Sequence, residues 1–333
     1  MKRIVLTIIS VLIFGVITFS GCNKNNNENV AIVYVAGQDG NSAVLWENGV
    51  AHYFDKTLVK SEDVQYDYSM WANSVYVYGN DVYVAGGIKN KQGVSIAVLW
   101  KNRVAKYLTD GANSSNANSV FVLGDDVYVA GNDGFFSTLW KNGEPQNFAD
   151  GTNLGFAVSV FVSDGNVYVA GVNDNLCATL WKNGEPQNLI DNENGSAMSV
   201  FVSGDDVYVA GYSNIGDIGH AQGQVAMLWK NGEPQSLTNR ADFGSAMSVF
   251  ASGNDVYVAG MHNGCATLWK NGKAQYFTDG TNTGWANSVY ISGIDVYVVG
   301  VEIGKGVKLW KNGKAQNLTN KKSEASAHSV FVK

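Results

Sequence analysis

The side chains best placed to do chemistry precede seven copies of the phrase SV(F/Y). Each copy follows an alanine and one variable residue, which runs Asn73, Asn118, Val158, Met198, Met247, Asn287 and His328. The residues before these alanines are Trp71, Asn116, Phe156, Ser196, Ser245, Trp285 and Ser326. Aromatic platforms beside amides suit stacking plus a few oriented hydrogen bonds, as in sugar or peptide binding. The predicted ligand-binding residues are Trp71, Asn73, Asn118, Phe156, Trp285, Asn287 and His328. The alternative is that the aromatic rings only pack between repeats.

Signals for catalysis or metal binding are weak. The histidines, which have no metal-type spacing, are His52, His220, His262 and His328. No nucleophile or phosphate-loop motif stands out. The segments DGTN at 150–153 and 279–282 and DGAN at 110–113 lack the dense carboxylates of a calcium loop, so they are predicted to be turns. We expect no enzyme activity, no cofactor and no metal.

A repeat supplies the elements that must position these residues. The tryptophans of the phrase LW stand 54, 40, 41, 48, 40 and 41 residues apart, at Trp46, Trp100, Trp140, Trp181, Trp229, Trp269 and Trp310. An interval near 40 residues is typical of a four-stranded propeller blade. Each unit contains an SV(F/Y) strand, a VYV(A/V)G strand, a variable loop, a strand ending in LWK, an Asn-Gly turn and a short last strand.

Two details test this division of the unit. Pro145, Pro186 and Pro234 all fall two residues past the Asn-Gly turn, which predicts that the last strand is a sheet edge. In the second unit Arg103 replaces the glycine of this turn, so we expect a strained or altered turn there.

The chain begins with a second strand at 32–37 and ends with a first strand at 329–333. The sequence therefore predicts an all-β fold over residues 30–333: a seven-bladed β-propeller of four-stranded antiparallel blades, its first blade completed by the C-terminal strand. Such a ring would bring Asn287, His328, Asn73 and Asn118 into one polar arc. Strand turns would occupy one face, and the variable loops, including 55–73, 87–96 and 212–224, would occupy the other.

The phrase LWKNG…L, as in AVLWENGVAHYF at 43–54, resembles the extracellular repeats named after their His-Ala-Phe tripeptide. The units are more loosely similar to kelch blades, although the glycine pair ending the second strand occurs only at Gly86-Gly87. This resemblance covers residues 30–333. It implies a propeller in the envelope or at the cell surface, and it implies no catalytic residues.

Residues 1–21 are predicted to be a signal peptide, because Lys2 and Arg3 precede an apolar run that ends at Phe19. The phrase FSGC, ending at Cys22, resembles a bacterial lipobox, which implies cleavage before Cys22 and its lipidation. An ordinary secretory signal is the alternative. Residues 22–29 form a polar tether. An aspartate directly after the lipidated cysteine would resemble an inner-membrane retention signal, but this position holds Asn23. The sequence therefore favours the outer membrane. It leaves open whether the protein faces the periplasm or the cell surface.

The net charge of −6 and the dispersed basic residues argue against a nucleic-acid partner. We expect a monomer anchored by lipid in the bacterial cell envelope. Its predicted function is non-catalytic binding or adhesion to a glycan, peptide or protein through the variable-loop face. The alternatives are a structural scaffold for envelope proteins and, third, a propeller lyase or glycosidase.

Overall fold

The computed structural model describes residues 31–55, 69–147, 155–190, 194–215, 223–319 and 324–333. The predicted signal peptide at 1–21, the tether at 22–29 and the lipidation site Cys22 lie outside the described residues. From Ile32 to Lys333 the chain forms a single compact unit.

Within these ranges the regular structure consists of β-strands. The first half of the chain contains β1 (Val33–Asp39), β2 (Ser42–Glu47), β3 (Val50–Tyr53), β4 (Met70–Tyr78), β5 (Asp81–Lys89), β6 (Ser95–Lys101), β7 (Val104–Tyr107), β8 (Ser115–Leu123), β9 (Asp126–Asp133), β10 (Phe136–Lys141), β11 (Glu144–Asn147), β12 (Phe156–Ser163), β13 (Asn166–Val172) and β14 (Ala178–Lys182). The second half contains β15 (Glu185–Asn188), β16 (Gly195–Ser203), β17 (Asp206–Ile215), β18 (Gly223–Lys230), β19 (Glu233–Ser236), β20 (Gly244–Ser252), β21 (Asp255–His262), β22 (Cys265–Lys270), β23 (Lys273–Tyr276), β24 (Gly284–Ser292), β25 (Asp295–Glu302), β26 (Gly306–Lys311), β27 (Lys314–Asn317) and β28 (Ala325–Val332). No helix among the described residues has the length and apolar character needed to span a bilayer.

The strands form seven four-stranded antiparallel sheets in the described part of the chain. Blade 1 has the order β28-β1-β2-β3, so the C-terminal strand completes the first sheet as predicted. Blades 2 to 7 follow in chain order as β4–β7, β8–β11, β12–β15, β16–β19, β20–β23 and β24–β27. The protein is therefore a seven-bladed β-propeller.

A ring of hydrogen bonds joins the inner strands. The serine hydroxyl of each SV(F/Y) phrase accepts the backbone N–H of the valine in the next blade, at 3.1–3.2 Å. The bond from Val330 to Ser288 and the bond from Val75 to Ser329 include the C-terminal strand in this ring. The serine of the motif thus links neighbouring blades.

The tryptophans of LW are buried between blades. Trp100, for example, is 1% exposed and belongs to a core cluster with Ala36 and Leu45 of blade 1. Its ring centroid lies 4.8 Å from that of Phe54 in the same cluster. The tryptophans therefore belong to the hydrophobic core that joins one blade to the next.

The Asn-Gly turns define one face of the disc, the turn face. Asn142 adopts a φ of 56°, its Oδ1 accepts the Val127 N–H at 2.8 Å, and its Nδ2 donates to Asp126 at 2.8 Å. Lys141 lies 2.9 Å from the same carboxylate and, as its strongest hydrogen-bond partner, holds the pKa of Asp126 below its usual value. Arg103 keeps the turn but has a φ of 68°, a strained conformation for a residue with a Cβ.

The opposite face, which we call the variable face, holds the connections between second and third strands and between blades. Its loops are shorter than the sequence suggested. Strand β4 begins at Met70, β5 continues to Lys89 and β17 continues to Ile215. The sequence instead predicts loops at 55–73, 87–96 and 212–224, because a strand end without apolar alternation resembles a loop in sequence. The edge assignment was correct: Pro145, Pro186 and Pro234 lie on the outer strands β11, β15 and β19.

Candidate functional site

The variable residues before SV(F/Y) surround the central channel. Each is the extra residue of a β-bulge between the first and second strands of its blade, as at Asn73, where Ala72 pairs with Gly86 and Ser74 pairs with Ala85. The same register shift recurs in the other blades. A bulge turns one side chain out of the regular alternation, and here it presents that side chain to the channel.

These residues line a cavity of about 560 Å³, which we call the mouth. Its lining residues are Asn73, Asn116, Asn118, Asn132, Phe156, Val158, Met198, Met247, Asn287 and His328. Five of the seven predicted ligand-binding residues are therefore together in one cavity. Its two sides differ in chemistry: amides and the imidazole lie on blades 7, 1, 2 and 3, whereas Val158, Met198 and Met247 lie on blades 4, 5 and 6.

The polar side chains also link the blades. Donors on Asn287, His328, Asn73 and Asn118 each bond to the carbonyl oxygen of the alanine in the next blade, at 2.8–3.0 Å. Part of each amide is thus used structurally. The Oδ1 atoms of Asn73 and Asn287 make no hydrogen bond with described residues and can accept one from a ligand.

His328 has a defined tautomer. Its Nδ1 lies 3.0 Å from the carbonyl oxygen of Ala72, which can only accept, so Nδ1 carries the proton. Its Nε2 then accepts the hydroxyl hydrogen of Ser326 at 2.7 Å. Burial lowers the pKa of His328, with the hydrogen bond to Ala72 opposing this effect. The imidazole is therefore neutral at pH 7.

The Ser326–His328 pair has the spacing of a nucleophile and a base, but the same local contact recurs without a base. Ser196 and Ser245 donate in the same way to the sulfurs of Met198 and Met247, at 3.2 and 3.4 Å. The contact is therefore a property of the bulge. No carboxylate is among the described residues that line the mouth.

Trp71 and Trp285 are half-buried and do not line the mouth. The Trp71 indole lies against Gly87, where an added Cβ would be 2.4 Å from the ring, and its N–H donates to Asn116 at 2.8 Å. Phe156 differs, because it is 46% exposed and faces the cavity. Packing accounts for the contacts of Trp71, and ligand stacking remains a prediction for Phe156.

Sequence reasoning did not select Asn116 and Asn132, which also line the mouth. Asn116 occupies the position of Trp71 in the third repeat, so its place in the repeat could have revealed it. Asn132 follows the glycine of the second strand. It reaches the cavity because it pairs with Asn116, next to the bulge in the first strand.

Below the mouth, seven aromatic rings surround the channel in the described structure. They are the third residues of SV(F/Y), with neighbouring centroids 4.4–5.0 Å apart: Tyr76, Phe121, Phe161, Phe201, Phe250, Tyr290 and Phe331. Burial, with smaller contributions from Tyr290 and Tyr78, raises the pKa of Tyr76 to about 12. The phenols are therefore neutral at physiological pH.

Other candidates from the sequence are structural where they are described. Asp279 accepts both the backbone N–H and the hydroxyl of Thr281, so DGTN at 279–282 is a turn, and Asp110 does the same for the Ala112 N–H. The copy at 150–153 and His220 lie outside the described residues. No group of three potential metal ligands occurs in the ranges that the structure covers.

Comparison with known proteins supports the fold and goes no further. No protein-family model and no curated protein matches the chain. The acylaminoacyl peptidase of Pyrococcus horikoshii is similar with a TM-score of 0.50 and 14% identity, over 87% of this chain and 51% of that one. The computationally designed Ika8 protein has a TM-score of 0.48 and 14% identity, over 90% and 86% of the two chains.

A prolyl endopeptidase gives a TM-score of 0.48 and 12% identity, over 91% of this chain and 50% of that one. This chain thus spans about half the length of these two peptidases. The likeness to the acylaminoacyl peptidase, at 14% identity, supports the propeller fold alone. The resemblance of the repeats to His-Ala-Phe-type or kelch repeats has no family match behind it and stays a prediction.

Proposed function

We propose that the protein is a lipid-anchored, non-catalytic binding module of the bacterial cell envelope, and that the mouth binds a glycan or a peptide. The observation that carries this proposal is the two-sided cavity, with amide oxygens on one wall and Phe156, Val158 and methionines on the other. Ligand sites commonly combine apolar walls with a few oriented polar groups. The absence of a carboxylate from the lining residues favours binding over hydrolysis.

The two ends of the propeller meet on the turn face. Ile32 and Lys333 exchange two backbone hydrogen bonds of 2.9 Å, and the Lys333 ammonium donates to Asn80 at 3.1 Å on the turn face. A tether from lipidated Cys22 would therefore join the propeller at its turn face.

The experiment compares two aromatic side chains of equal exposure. The full chain, reconstituted in nanodiscs, is screened against arrays of envelope glycans and peptides, together with Phe156→Ala and the control Phe243→Ala. Phe243 is 47% exposed on the same face but does not line the mouth.

We expect Phe156→Ala to weaken binding of the retained ligand about tenfold or more, because half-exposed anchors in a site contribute much of its affinity. Its melting temperature should change little, since the ring is half-exposed. A scaffold role would be indicated if no glycan or peptide is retained while envelope proteins are. Equal losses in both variants would contradict the proposed site.

A further inference from the structure

The mouth continues into an exposed apolar surface on blades 3 and 4, which we call the track. It consists of Phe135, Phe136, Phe156 and Leu176. Phe135 is 70% and Leu176 is 59% exposed. The carbonyl oxygen of Phe135 accepts the N–H of Gly155 at 2.8 Å, which places the tip of blade 3 next to Phe156 and the mouth. Large exposed apolar side chains grouped on one face of neighbouring blades usually mark an interaction surface.

Leu176 is held in an unfavourable conformation without being buried. Its φ is 59°, in the left-handed region that a leucine rarely adopts. Its N–H donates to Asn173, and its carbonyl accepts the Gly195 N–H at 2.9 Å. The Asn173 side chain also accepts the N–H groups of Asn175 and Cys177, so the turn is firmly determined. Strained residues held exposed in this way occur preferentially at binding sites.

The part of the chain that forms the track is poor in basic residues. Between Lys106 and Lys230 the chain contains two basic residues, Lys141 and Lys182. Lys141 pairs with Asp126 on the turn face, and the Lys182 ammonium lies 5.5 Å from the Tyr168 ring centroid on the same face. The variable face of these blades instead carries the carboxylates Asp110, Asp133 and Asp174. Carboxylates beside an exposed apolar surface attract a cationic partner.

We propose that the track, together with the mouth, binds an extended peptide segment that carries alternating basic and apolar side chains. This inference rests on the proposed binding function and names its ligand class. The apolar side chains contact the track, the basic ones lie near Asp133 and Asp174, and peptide N–H groups reach the free Oδ1 atoms of Asn73 and Asn287. In an extended segment alternate side chains face opposite sides, which matches a track with acidic edges.

The experiment uses the full chain in phosphatidylcholine nanodiscs and two synthetic peptides of equal length. One alternates lysine and leucine, and the other replaces each lysine with glutamate. The variants are the double substitution Phe135→Ser/Phe136→Ser, the charge reversal Asp174→Lys, and the control Phe243→Ser on blade 6. Each binding curve is repeated at low and high salt.

We expect the lysine peptide to bind about tenfold or more tightly than the glutamate peptide, and more weakly at high salt. The double variant should lose about tenfold in affinity, Asp174→Lys should lose less, and Phe243→Ser should match wild type. Because Phe135 and Phe136 are exposed, the double variant should keep the wild-type melting temperature. Asp174→Lys tests the electrostatic part of the binding separately, without removing a large side chain.

Equal binding of the two peptides, or full affinity in the double variant, would overturn the proposal. Binding of neither peptide would also overturn it, and so would uptake of free phosphatidylcholine vesicles by wild type that the double variant loses, because the track would then be a membrane-contacting surface. If binding of the array ligands still depends on Phe156 in those cases, the proposed function of the mouth is kept and only the peptide proposal for the track is rejected. If the lysine peptide needs Phe135 and Phe136 but not Phe156, the peptide binds the outer part of the track and the proposed binding at the mouth is wrong.

Discussion

At the residue scale, the bulged position before SV(F/Y) serves two purposes. The sequence predicted that Asn73, Asn118, Asn287 and His328 would form one arc, and the structure brings them together in the mouth. The sequence could not predict that the side-chain N–H groups of these residues donate to alanine carbonyl oxygens of the next blade, because that contact depends on how two sheets align. A repeat pattern predicts the strands within one blade, but the contacts between blades are seen only in the three-dimensional structure.

His328 should make stability depend on pH. Its pKa is lowered in the folded protein from an ordinary value near 6.5, because burial disfavours the charged imidazole. The unfolded chain therefore binds more protons as the pH falls through that value, and the free energy of unfolding decreases. The contribution is fully present above about pH 6.5 and is lost progressively below it.

The matched variant is His328→Asn, which does not titrate and can donate to Ala72 as Asn73 donates to Ala117. Urea unfolding at about pH 7 and about pH 5 should show a smaller loss for the variant than for wild type. Subtracting the two proteins removes the effects of the other histidines. Parallel losses would mean that His328 does not titrate in this range.

At the element scale, the glycine of VYV(A/V)G is explained by the bulge opposite it. An added Cβ would lie 2.0 Å from the Phe156 carbonyl oxygen at Gly171, and between 1.8 and 2.0 Å from the equivalent oxygen in the other blades. The sequence located these strands and their edge prolines from composition and turn residues. It could not locate the bulge, since the extra residue leaves no distinct residue type behind.

Gly171→Ala should therefore destabilise the protein strongly. We expect a loss of about 3 kcal/mol in the free energy of unfolding, because the new methyl group meets rigid backbone. The control is Gly165→Ala in the same blade, which has a φ of 73° and no atom within 4 Å of the added Cβ. That variant should lose only about 1–2 kcal/mol, the cost of a left-handed alanine. Urea unfolding measures both, and equal losses would mean that the close approach is relieved by small shifts.

At the scale of the whole molecule, counting strands in the sequence was enough to predict the ring and its closure. Seven first strands, seven second strands and an incomplete first unit leave one arrangement without free edges. The variable face was less predictable, since its exposed side chains, such as Phe135, interrupt no pattern in the sequence. Its function depends on which side chains remain uncovered, which is set by loop paths and not by strand periodicity.

The ring should close equally well whichever blade is assembled from both ends of the chain. Ile32 and Lys333 bond to each other, so in a protein of residues 32–333 a short glycine–serine linker can join them without moving either strand. A circular permutant that begins at Asp205 and ends at Gly204 then has blade 5 completed from both ends, in the manner of blade 1. Because each blade makes the same serine–valine bonds and core contacts with its neighbours, the free energy of unfolding of the permutant should lie within about 1 kcal/mol of that of the unpermuted protein.

The control permutant opens the chain at buried Ala210 inside β17. The break interrupts the ladder to β16 and β18, so this protein should fail to fold. Unfolding followed by circular dichroism decides the matter: separate transitions or aggregation of the Gly204 permutant would show that blade 1 is a special closing site.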